Sequence, residues 1–131
     1  MPFLNVKVTG PRLSEPQARS LQERATELIV QVMRKKGSLT VVSIEQAPEG
    51  AWSVGGAPVP SAAFLEVKVT AGTNTTAEKA RFVEEANQML RDVFGPGLDP
   101  VTYVVVHEVP AEDWGFGGLT QARRSELAKA A

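Results

Sequence analysis

Apolar and polar residues alternate strictly near the start of the chain, with Leu4, Val6 and Val8 separated by Asn5, Lys7 and Thr9. A period of two predicts a β-strand over residues 3–9, and Pro11 stops it. The rhythm then changes. Ala18, Leu21, Ala25, Leu28 and Val32 recur at steps of three and four, the stripe of an amphipathic helix. Ser14 with Gln17 three residues on forms a capping box for a helix starting near Glu15, and Pro16 is tolerated in that first turn. Lys35 and Lys36 suit the negative end of the helix dipole and read as a solvated helix end. Gly37 is expected to take the left-handed conformation that terminates the helix. Residues 40–46 read as a second strand.

The chain then says nearly the same thing again. Residues 3–10 are FLNVKVTG and residues 64–71 are FLEVKVTA, six identities in eight at an offset of 61. Further on, Ala51-Trp52-Ser53-Val54-Gly55-Gly56 answers Asp113-Trp114-Gly115-Phe116-Gly117-Gly118 at an offset of 62, so one residue has been inserted between the blocks. Two blocks in the same order mark a duplicated unit. In the second copy, residues 63–70 read as a strand, and Thr75 with Glu78 caps a helix. Phe82, Val83, Ala86, Met89, Leu90 and Val93 form its stripe, Gly95-Pro96-Gly97 ends it, and residues 101–109 form the last strand. Residues 121–131 read as a short terminal helix or a frayed tail.

Two strands joined by a helix are expected to be parallel with a right-handed crossover. The expected fold is therefore α+β: a tandem β-α-β repeat forming a four-stranded mixed sheet with two helices on one face. Residues 55–60 are too short a joint for independent domains. The reading is one domain, 1–131, of two pseudo-symmetric units (2–59 and 62–120) with a short C-terminal segment 121–131. Val41-Val42 and the run from Val101 to Val106 are apolar at successive positions, so both faces of those strands are expected to seek burial. The helices cover one face, and self-association in a closed ring is the economical cover for the other.

Composition narrows the chemistry. The 131 residues carry 14 Lys+Arg against 15 Asp+Glu, a net charge of -1 with no basic run, which argues against a nucleic-acid or anionic-membrane footprint. There is no cysteine, hence no disulfide, thiol nucleophile or Cys-ligated metal, and the single His107 excludes chemistry needing a histidine pair within one chain. No apolar stretch approaches the roughly 20 residues of a membrane span. The opening residues lack the order of a signal peptide, so the expected location is cytoplasmic.

Among candidate residues, Pro2 comes first. Removal of Met1 before a small side chain would leave it as a free secondary amine. An α-amino group titrates near 7.7–8.0 in water, and burial or a neighbouring cation brings it towards neutrality, where it can act as general base and then acid. Arg12, just after the same strand, offers a guanidinium for bidentate carboxylate binding. Trp52 and Trp114 precede the Gly-Gly turns, as pocket walls or packing anchors, and Tyr103 is a mid-strand hydrogen-bond donor or space filler. His107 reads as a hydrogen-bonded interior residue. Gly55-Gly56 and Gly117-Gly118 match no phosphate-cradle spacing and read as turn glycines.

The N-terminal Met-Pro-Phe-Leu strand, Pro11-Arg12 before a capped helix, and the aromatic residue before Gly-Gly together resemble the tautomerase superfamily. The duplication makes the chain resemble a fused pair of 4-oxalocrotonate tautomerase-type units over nearly all of residues 2–120. The resemblance implies a cofactor-independent tautomerase with Pro2 as catalytic base and Arg12 holding the substrate carboxylate. It also implies Trp52 and Trp114 as aromatic walls, and a homotrimer. Ala63 stands where the first unit has Pro2, and Thr73 where it has Arg12, so one site per chain is the ceiling. The family's second arginine falls at Val41 and Tyr103, which implies poor handling of doubly charged substrates. Tyr103 also matches the tyrosine that the related macrophage migration inhibitory factor group lends to a neighbour's pocket.

The implied reaction interconverts 2-hydroxy-2-alkenoates and 2-oxo acids. The rival enzymatic reading is a dehalogenase, hydratase or decarboxylase of small unsaturated or oxo acids, with Pro2 protonated and Glu108, Glu112 or Asp113 activating water. The non-enzymatic rival is an oligomeric binding protein.

Overall fold

The computed structural model describes residues 1–131. Strand β1 (Phe3–Thr9) leads to helix α1 (Glu15–Gln31), a 3-10 turn at Gly37–Leu39 and strand β2 (Val41–Ala47). A two-residue hairpin follows, β3 (Ser53–Val54) and β4 (Ala57–Pro58). The second unit repeats this with β5 (Ala62–Thr70), α2 (Thr76–Phe94), β6 (Tyr103–Val109) and the hairpin β7 (Gly115–Phe116)–β8 (Leu119–Thr120). Helix α3 (Gln121–Ala130) ends the chain, resolving the helix-or-tail alternative as a helix.

The main sheet has the order β2-β1-β5-β6. β1 runs parallel to β2 and β5 parallel to β6, while β1 and β5 meet antiparallel in the centre. Across that seam Phe3 pairs with Lys68 and Lys7 with Phe64, each pair being the repeat of the other, so a pseudo-two-fold axis passes through the pair Asn5–Glu66. This is the mixed α+β sheet expected from the repeat.

Local chemistry explains the helices. Both capping boxes form: Ser14 accepts from the Gln17 backbone N–H while Gln17 returns a bond, and Thr75 and Glu78 do the same for α2. Leu21, Ala25 and Ile29 of α1 and Phe82, Ala86, Met89 and Leu90 of α2 are buried. They share one core with Leu4, Val6 and Val8 of β1 and Leu65, Val67 and Val69 of β5. Each such large side chain contributes about 1.5–3 kcal/mol by leaving water.

Two expectations are corrected. Gly37 does not terminate α1 in a left-handed conformation; Arg34 does, at φ 57°. The Lys35 N–H donates to the Ile29 carbonyl at 3.2 Å, a bond that closes a seven-residue loop around the left-handed Arg34. A non-glycine residue there costs about 1–2 kcal/mol. The guanidinium is gripped across the molecule by Glu78: Nε donates to Oε2, and Nη2 to Oε1 at 3.2 Å.

The uncovered sheet face is also not uniformly apolar. Alternation sends only every second residue of an apolar run to that side. Exposed Phe3, Val41 and Tyr103 lie there, but so do Asn5, Lys7, Ser43, Glu45, Glu66 and His107. Asn5 Nδ2 donates to Ser43 Oγ at 2.6 Å, and His107 Nε2 lies 3.1 Å from Glu66 Oε2, so His107 is hydrogen-bonded but on the open face. No helix is long and apolar enough to cross a membrane.

Candidate active site

Pro2 is fully buried at the foot of β1, and its carbonyl accepts the Val41 N–H at 3.3 Å, pinning the N-terminus to the sheet. Met1, attached to it, lines a cavity of about 400 Å³. One wall is the end of α1, with Arg34, Lys35, Lys36 and Leu39; the opposite wall is Phe116 of β7 with α3. No aspartate or glutamate lines it, whereas Arg34, Lys35, Lys36 and Arg124 all do.

This composition acts on the terminal amine. Burial first, and the charge of Lys35 second, hold the Met1 α-amino group below its ordinary value of 8.0. Lys35 itself is held below the usual lysine range, by burial and then by Arg34. Its Nζ donates to Thr73 Oγ1 and the neighbouring Arg34 is clamped by Glu78, so the cationic wall is anchored in the second unit. An amine at this position has its neutral form favoured.

Sequence features explain the hairpin wall. Gly117 and Gly118 have φ values of 61° and 84°, nearly those of Gly55 and Gly56 at 60° and 84°, as a two-residue turn with both φ positive requires. A Cβ on Gly115 would collide with the Leu119 carbonyl, so only glycine lets β7 close on β8 and hold Phe116 at the cavity.

The other candidates lie apart from Met1 and Pro2. Trp52 and Tyr103 meet in a separate groove of about 420 Å³ that includes Lys7, Ala63 and Phe64. This is the second unit's counterpart of the amine region, with Ala63 in place of Pro2. Arg12 borders a crevice of about 60 Å³ beyond the far end of β1, a strand that spans roughly 20 Å, so it cannot reach Pro2 of its own chain. Trp114 is half-buried beside α3, where its carbonyl accepts the Gln121 N–H at 2.9 Å; Phe116, two residues on, is the aromatic side chain that lines the cavity.

Sequence reasoning passed over Lys35, Lys36 and Arg124. One signal was available: where the first unit has Arg34-Lys35-Lys36, the second has Gly95-Pro96-Gly97, so the cations, like Pro2, are private to one half.

The fold and this arrangement define a class. A family model described as tautomerase enzyme matches residues 2–61 and again 64–124, so the chain belongs to the tautomerase family. The probable tautomerase K2 of Dickeya dadantii (strain 3937) is 32% identical over 59 residues, covering 45% of this chain and 88% of that protein. Among solved structures, native fused 4-OT superposes with a TM-score of 0.83 at 19% identity, covering 94% of this chain and 98% of that one. The F6 fused 4-OT wild-type asymmetric trimer gives 0.80 at 20% identity, covering 93% and 98%.

Proposed function

We propose that the protein is a cofactor-independent tautomerase interconverting 2-hydroxy-2-alkenoates and 2-oxo acids, with Pro2, bared by removal of Met1, as general base and acid. The observation that carries this reading is the buried amino terminus beside Lys35, in a cavity lined by four cations and no acid. In a tautomerase-family fold, that setting favours both a neutral amine and a bound carboxylate. Neutral Pro2 N takes the proton of the 2-hydroxyl, the electrons move to form the 2-oxo group, and the same proton returns to carbon. Positive charge around the cavity stabilises the enolate in between.

In this reading the chain assembles as a homotrimer, by analogy with the trimeric fused 4-OT. Arg12 and Tyr103, remote from Pro2 in their own chain, then enter a neighbour's site, and Trp52 and Trp114 flank its mouth. The substrate is a small carboxylate-bearing enol.

Mass spectrometry of the purified chain should show Met1 removed. Pro2→Ala should lower kcat/KM for phenylenolpyruvate by about a hundredfold or more. The wild-type rate should rise with pH as the Pro2 amine loses its proton and then level, because the neutral amine is the base; the burial and the Lys35 charge that lower the Met1 amine act on the same end of the chain. An unchanged rate in Pro2→Ala removes the amine from the mechanism. A rate that falls with rising pH assigns instead the protonated amine of a hydratase, dehalogenase or decarboxylase.

A further inference from the structure

Helix α3 is oriented against the usual logic of amphipathic packing. None of its residues is fully buried, and Leu127 is 43% exposed. What it turns inward, onto the cavity above Met1, is Gln121, Arg124, Ser125 and Ala128, one helical face at steps of three, one and three that is mostly polar. Polar contacts hold its first turn. Thr120 caps it, the Ala122 N–H donates to the Ala111 carbonyl at 2.9 Å, and Arg124 Nη2 donates to the Phe116 carbonyl at 2.8 Å. The Arg124 guanidinium carbon stands 3.5 Å from the centre of the Phe116 ring, so the group is fixed over an aromatic floor.

Arg124 also differs from most arginines of the chain. Arg19, Arg24, Arg34, Arg81 and Arg123 all pair with carboxylates, and Arg124 with none. Its Nε is buried and makes no hydrogen bond. The same holds for Gln121 Nε2 and for Trp114 Nε1 beside it. Of these three residues, Arg124 and Gln121 line the cavity, and each keeps a donor without a protein partner, an arrangement that an acceptor-only group entering the cavity would complete. A carboxylate is such a group, and the cavity provides none of its own.

We infer that α3 supplies the substrate's carboxylate anchor from within the same chain, with Arg124 as the charged donor, Gln121 as the neutral one, and Phe116 fixing the guanidinium plane. This rests on the reading of the cavity as the active site and adds a specificity residue to it. Substrate is held between the α3 wall and the cationic end of α1, its carboxylate on the former and the adjacent 2-hydroxyl toward Pro2.

The test uses the full chain, an unreactive probe and a substrate. Arg124→Gln should raise the Kd of 3-phenylpropanoate about ten- to a hundredfold while leaving that of neutral 3-phenylpropanamide unchanged, since only the charged hydrogen bonds are lost. Arg124→Lys should recover part of the affinity, and Lys129→Gln on the outer side of α3 should change nothing. With phenylenolpyruvate, Arg124→Gln should raise KM similarly and leave kcat within about threefold. The inference is overturned if wild type does not bind the propanoate, if Arg124→Gln binds it within twofold of wild type, or if acid and amide weaken equally. Pro2→Ala, measured alongside, separates the two readings: an inactive Pro2→Ala with normal binding in Arg124→Gln sinks the anchor alone. A fully active Pro2→Ala with binding lost in Arg124→Gln keeps the anchor and sinks the base.

Discussion

Arg34 holds a backbone conformation that glycine adopts more easily, and the grip of Glu78 on its guanidinium compensates. The Arg34 side chain first, and the Thr75 backbone N–H second, pull the Glu78 carboxyl down to about 2, so it stays ionised well below the usual carboxylate range. Because the folded value lies below the ordinary 4.5, this contribution to stability is fully present above about pH 4.5 and is lost as the pH falls toward 2. Glu78→Gln should lower Tm above pH 5, with the difference from wild type shrinking toward pH 2; thermal melts followed by circular dichroism across that range would show it. A constant difference would mean that the clamp is not electrostatic. The residue scale also shows where sequence runs out. Ser14–Gln17 and Thr75–Glu78 were legible because a capping box closes within four residues. Arg34 was not, because its partner stands 44 positions away in the other unit.

At the scale of elements, the periodicities placed every main-sheet strand and both long helices, with ends within two residues except at the close of α1, expected at Lys36 before Gly37 and found at Gln31. Detail was lost where a stripe is wider than the strongest spacing suggests. Ile29 lies fully buried although Leu28 was assigned to the stripe, and Val83, assigned to it, is 40% exposed. Ile29→Ala should therefore cost about 2–5 kcal/mol in chemical denaturation, and Val83→Ala under about 1. Equal costs would contradict the observed rotation of the two helices about their axes. Helix α3 was ambiguous in sequence for a physical reason: with a polar face inward it has no apolar stripe to read.

The whole molecule is two similar halves that differ around the amino terminus. Pro2, Lys35 and Lys36 in the first unit have Ala63, Pro96 and Gly97 in the second. The cavity nevertheless needs more than the first, since Phe116 belongs to the second half and Arg124 to the C-terminal helix. Its closure was not legible, because Phe116 and Arg124 reach it only when β7–β8 and α3 fold back over the chain start, more than 80 residues away. The mixed open face carries Phe3, Val41 and Tyr103 as its exposed large apolar groups. If that face is where copies meet, Tyr103→Lys combined with Val41→Lys should shift sedimentation from trimer toward monomer without altering the circular dichroism of the fold. A trimer that persists would place the contact elsewhere.

Asn5 faces Glu66 at the point where the internal axis crosses the sheet. In a dimer of identical single units, that position confronts its own copy, and a glutamate there would set two carboxylates side by side, a repulsive pair. Covalent tandem linkage lifts the restriction: one half keeps an acid that bonds His107, the other an amide that bonds Ser43. A joined chain can thus hold residue combinations closed to any self-complementary one.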